Sequence, residues 1–184
     1  MATKKKSKKA LDTNRQAMIW ATTRISLGFI FLWAFLDKLL GLGFATCRGE
    51  DGVVEQLCQK AWLEGGSPTT GFLKFGTVGS PLEGVFQAMA GNALWDWLFM
   101  LGLLGIGVTL ILGIGIRIAT YSGALLMSFM YIALFQPENN PLIDDHIVYA
   151  LVLLGLGSVN DSQVWGAGKW WREQDLVKNY PILK

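Results

Sequence analysis

Asp144, Asp145 and the chain's single histidine, His146, stand together at the start of an apolar run. An imidazole bonded to a carboxylate can take up and release a proton near neutral pH, so these residue types at this spacing offer acid–base chemistry. Tyr149 lies one helical turn beyond Asp145 and is also within reach of His146. A second polar pair, Asp37 and Lys38, interrupts another apolar run. Asp37 with Asp144, Asp145 and His146 would make a His and carboxylate metal set, but its spacing is not diagnostic and we predict no bound metal. One histidine, no Cys-x-x-Cys, no Walker loop and no dinucleotide fingerprint leave no support for bis-histidine haem, an iron–sulfur cluster, NTP hydrolysis or a resident NAD site.

The elements that must position these groups follow from composition. With 52% hydrophobic residues, 16% charged residues and 22 glycines among 184, the chain is too apolar for a soluble domain of its length and reads as a membrane protein. The formal net charge of +2 conceals Lys4, Lys5, Lys6, Lys8 and Lys9 at the start, a tail suited to anionic lipid rather than to nucleic acid. Four runs meet the requirement of about 20 mostly apolar residues, and lipid forces each to be helical. They cover about residues 18–42, 95–112, 116–135 and 143–159. Lysine-rich starts also occur in signal peptides, but the length of the first run, with Asp37 and Lys38 near its end, reads as an uncleaved span.

These runs predict an all-α, four-transmembrane-helix bundle. The basic excess places both termini in the cytoplasm and the long segment 43–94 outside. Residues 1–17 form the basic tail, 18–160 the membrane domain and 161–184 a Trp- and Lys-rich segment at the membrane surface. In the outer loop, Val53–Leu63 and Leu82–Met89 read as amphipathic pieces lying on the membrane. Cys47 and Cys58 are expected to form a disulfide in an oxidising compartment, as a structural staple or as a redox pair.

Depth can then be compared between spans. Arg24 and Asp37 are about 20 Å apart along one helix axis, so Arg24 lies in the inner half and Asp37 with Lys38 at the outer lip. The fourth run starts outside, which puts Asp144, Asp145 and His146 at the same level, with Glu138 nearby. We therefore expect Asp37, Lys38, Glu138, Asp144, Asp145 and His146 to converge beneath the cysteine loop, either as a polar lock or as a proton-handling site. Asn140 reads as the helix cap, Pro141 as the first helical residue, and Asp144 as a carboxylate favouring the positive helix end. Arg24 reads as a snorkelling residue or as part of an inner anion or quinone-headgroup site.

The segments RISLGFIFLWAFLDKLLGLG and ENNPLIDDHIVYALVLLGLG, with the tryptophan-rich basic tail, resemble the DoxX/DoxD family of small four-helix membrane proteins. The chain departs from that family where Trp33 and Phe35 replace small residues midway along the first helix. The resemblance implies a multi-pass protein of the cytoplasmic membrane, similar to the membrane subunit of thiosulfate:quinone oxidoreductase. On that reading quinone is the electron acceptor, Asp37, Asp144, Asp145 and His146 handle protons, and Lys38 and Arg48 are the cations available to thiosulfate. A small partner subunit and a homo-oligomer are compatible with it. Other family members imply a different class, a non-catalytic scaffold for a redox or thiol-stress partner.

Overall fold

The computed structural model describes residues 2–135, 140, 142–159 and 164–183, with side chains from Thr13 onward. Among the described residues four helices make the bundle: α1 (Ala2–Leu40), α3 (Ala93–Leu112), α4 (Ile116–Ala133) and α5 (Asp145–Ser158). A short α2 (Glu83–Met89) precedes α3, and α6 (Gly168–Arg172) and α7 (Asp175–Asn179) follow α5. Among the described residues three helices are long and apolar enough to cross a membrane: α3, α4 and the Thr13–Leu40 portion of α1.

Each boundary has a local cause. Asn92 caps α3 by accepting the Leu94 N–H at 2.9 Å. Gly113 ends α3 at φ 73° and Gly115 precedes α4 at φ 54°. Left-handed backbone at both positions allows the tight reversal between them. The fourth apolar run departs from expectation, since α5 has 14 residues and spans about 21 Å, short of the roughly 30 Å hydrocarbon core. Its cap is Asp144 rather than Asn140, which moves the helix start later than the apolar run suggests.

The long connection between α1 and α3 keeps only part of its expected helicity. Leu82–Met89 is realised as α2, whereas Val53–Leu63 is mostly turns and ends in the 3-10 turn Trp62–Glu64. The Cys47–Cys58 disulfide is present, with Cα atoms 5.8 Å apart.

In lipid, helices gain little by hiding apolar surface from one another, so close backbone approach and van der Waals packing hold a bundle together. Gly28 and Gly107 supply that approach between antiparallel α1 and α3. A methyl group on Gly107 would lie 2.7 Å from the Leu32 nitrogen, and one on Gly28 would lie 2.9 Å from the Ile111 nitrogen. Gly123 of α4 admits Leu153 of α5 and Ile106 of α3 in the same way. Around these contacts Leu27 and Phe31 meet Met100, Leu110, Met127, Leu153 and Leu156 in one core. Consecutive packing of α1 on α3, α3 on α4 and α4 on α5 leaves the α1/α5 seam as the least closed side of the ring.

Candidate functional site

Asp144 approaches α5 in extended conformation, φ −120° and ψ −174°, and folds its carboxylate back over the first turn. One oxygen accepts the Ile147 N–H at 3.2 Å, and the other lies 2.7 Å from His146 Nδ1. An ionised carboxylate has no proton to donate, so Nδ1–H is the donor and Nε2 is left as the basic nitrogen. Asp145 Oδ1 is 3.5 Å from the same Nδ1, but its side chain is 70% exposed. Asp144 precedes the helix. Partial burial pushes its carboxyl up, and the hydrogen bonds from His146 and from the Ile147 N–H outweigh that, so the net position is below the usual carboxylate range.

The segment feeding this site is held by its own polar groups. Asn140 Oδ1 accepts from Leu142 and Ile143 N–H at 2.9 and 3.1 Å, forming a turn ahead of the helix rather than the helix cap. Tyr131 of α4 donates to the Leu142 carbonyl at 2.7 Å. Pro141 and Glu138 lie outside the described residues. Tyr149 is half-buried against the core, and among the described residues its hydroxyl makes no hydrogen bond to Asp145 or His146.

Asp37 does not join this group. It is 1% exposed, and its two oxygens accept the N–H groups of Phe44 and Ala45 at 3.0 and 2.9 Å. The physical reason is proximity along the chain. α1 ends three residues later at Leu40, the chain turns back on itself, and its free N–H groups reach the carboxylate first. Lys38 lies 5.9 Å from the centre of the Phe99 ring, and Arg48 Nε donates to the Gly43 carbonyl on its own loop. Among the described residues the expected outer-lip cluster therefore reduces to Asp144, Asp145 and His146, and Lys38 and Arg48 do not assemble an anion cradle. Those three residues each bring a ligand atom within 4.8 Å of the others. The exposure of Asp145 and the positive end of α5 weigh against a resident cation there.

Arg24 is likewise reassigned. It is 0% exposed and does not snorkel. Its guanidinium donates to the carbonyls of Leu110 and Ile111 at the end of α3, and to Val164 and Trp165 in the segment before α6. Those contacts satisfy carbonyls left without partners where α3 ends.

Asp96, in the first turn of α3, is a polar centre that the motif reading passed over. It is buried and accepts from Ser67 Oγ at 2.9 Å and from Thr69 Oγ1 at 2.6 Å, binding the connection between α1 and α3 to the bundle. The available signal was a carboxylate inside an otherwise apolar run, which demands a partner.

Beside the site runs a groove of about 510 Å³ between α1 and α5, walled by Thr22, Ser26 and Ile30 on one side and by Val148, Tyr149 and Val152 on the other. Apolar helices of this kind suit a bilayer, which supplies the groove's surroundings. No family model, curated protein or solved structure matches the chain, so the resemblance to the DoxX/DoxD family rests on the quoted segments alone.

Proposed function

We propose that the chain is a DoxX/DoxD-like membrane subunit of a quinone-linked oxidoreductase in which Asp144 and His146 relay protons. In this reading α5 is a fourth crossing of the cytoplasmic membrane, shorter than the other three, and Asp144 lies just outside its outer edge. Both termini are cytoplasmic, and the disulfide-bearing loop faces outward. The observation that carries the reading is the 2.7 Å bond between His146 and Asp144 at the N-terminal end of α5. It leaves Nε2 able to accept a proton from a quinol hydroxyl or, once protonated, to donate one to a quinone carbonyl.

Reduction of a quinone to its quinol consumes two electrons and two protons. In the complex that the resemblance points to, two thiosulfates join through a new S–S bond to give tetrathionate and release the two electrons, and the two protons are drawn from the aqueous phase through the relay. Because Lys38 and Arg48 are each engaged elsewhere, thiosulfate oxidation is assigned to a partner subunit.

The test is thiosulfate-dependent reduction of a quinone analogue in membranes containing the chain. His146→Gln keeps a polar group at the site but cannot relay a proton, so the rate should fall by about 10²-fold or more. An unchanged rate sinks the assignment. A second reading, a non-catalytic scaffold with a polar lock, draws on the fact that Asp144 also caps α5. It requires His146→Ala to lower bundle stability while the wild-type protein supports no quinone reduction with any partner.

A further inference from the structure

We infer that the α1/α5 groove seats the apolar tail of the quinone whose headgroup meets Asp145 and His146. This rests on the redox reading above and extends it to the form of the substrate.

The groove is built for hydrocarbon. Thr22 and Thr23 return their hydroxyls to the Met18 and Ile19 carbonyls at 2.9 Å, so the α1 wall offers little free polarity. Toward the end of α5 the Trp20 ring approaches Gly155, where an added Cβ would lie 3.5 Å from the ring, so the two helices touch there. At the outer end the α5 wall continues directly into the polar site. Asp145, Val148, Tyr149 and Val152 follow i, i+3, i+4 and i+7 spacing and form one helical stripe. Asp145 stands at the head of that stripe, 3.5 Å from His146 Nδ1. The seat is therefore mostly apolar along its length and meets charged groups where the α5 stripe reaches Asp145. That polarity gradient complements a proton-accepting ring on a long hydrocarbon chain, and a volume near 510 Å³ lies within the range of small-molecule sites. An ordinary phospholipid fits it less well, because a phosphate would meet the two carboxylates.

The full-length protein in detergent is titrated with two probes, a benzoquinone bearing a long alkyl chain and the same benzoquinone without it. Ser26→Trp fills the groove from the α1 wall, and Val152→Trp fills it from α5. Each should weaken the chain-bearing probe about tenfold and leave the chain-free probe unchanged. Ser122→Trp places the same bulk on α4, outside this groove, and should alter neither. Equal binding of the chain-bearing probe by wild type and both filling variants overturns the proposal. Displacement of that probe by phosphatidylcholine as readily as by a second quinone also overturns it, because the occupant is then bilayer lipid. His146→Ala separates the seat from the proton relay. If it binds both probes as wild type does while the filling variants lose the chain, the seat stands and the relay fails.

Discussion

Arg24 of α1 donates to the Ile111 carbonyl of α3 at 2.9 Å, tying the middle of one helix to the last turn of another. Helix C-termini leave carbonyls unpaired and carry partial negative charge, which makes this a favourable place for a buried guanidinium. Further bonds to Val164 and Trp165 bring the segment after α5 to the same point. Arg24→Leu should cost about 3 kcal/mol or more, since it leaves several buried carbonyls without a donor. Arg24→Lys should recover only part, because an ammonium lacks the planar fork that reaches two segments. Thermal unfolding in detergent reads both, and an unchanged midpoint in Arg24→Leu refutes the assigned role.

Asp37 should behave as the anchor of the loop that follows α1 and not as a proton carrier. Asp37→Ala removes both acceptors of the Phe44 and Ala45 N–H groups, at a cost of about 1–3 kcal/mol. Hydrogen exchange at those two amides should accelerate, and the Cys47–Cys58 disulfide should become easier to reduce as the loop loosens. Exchange rates equal to wild type would remove the anchor role.

The contrast between Asp37 and His146 explains how far sequence reading reaches. Helical rise gives depth, so placing both residues at one end of the bundle follows from counting. Depth says nothing about which way a side chain faces. Asp37 turns to its own following loop, a choice made by tertiary chain reversal that no local pattern encodes. The same limit applies within the Asp-Asp-His stretch. Asp145 looks like the natural partner by adjacency, but the extended cap conformation brings Asp144 to His146 and leaves Asp145 exposed. Hydropathy made α1, α3 and α4 legible because an apolar run of spanning length has few alternatives in lipid. It overextended the fourth run, where the same residues are shared between helix and approach segment.

Glycines in the bundle should divide by what surrounds them. Gly107→Ala places a methyl 2.7 Å from the Leu32 backbone nitrogen and must push α1 away from α3, which costs about 1–3 kcal/mol. At Gly102 there is nothing within 4 Å of an added Cβ. Gly102→Ala should therefore be neutral or stabilising by up to about 1 kcal/mol through helix propensity alone. Unfolding midpoints of the two variants, measured side by side, should move apart. Equal shifts would show that the α1/α3 contact is not close at Gly107.

Acid should weaken the start of α5 through Asp144. Hydrogen bonds from His146 and Ile147 hold its folded carboxyl below the usual range, against the opposing effect of partial burial. A lowered folded pKa means that the stabilisation is fully present above the unfolded value of about 3.9 and is lost as pH falls through the folded value. Other carboxylates also titrate there, so the informative quantity is a difference between proteins. Asn is as good a helix cap as Asp, and Asp144→Asn therefore keeps the Ile147 bond while removing the charge beside His146. Wild type should exceed Asp144→Asn in stability near pH 7, and the gap should close as the pH falls below the unfolded carboxyl value and through the lower folded one. Circular dichroism melts in detergent across that range test it. A gap that stays constant with pH would mean that the bond between Asp144 and His146 draws nothing from the carboxylate charge, and the proton relay would lose its electrostatic basis.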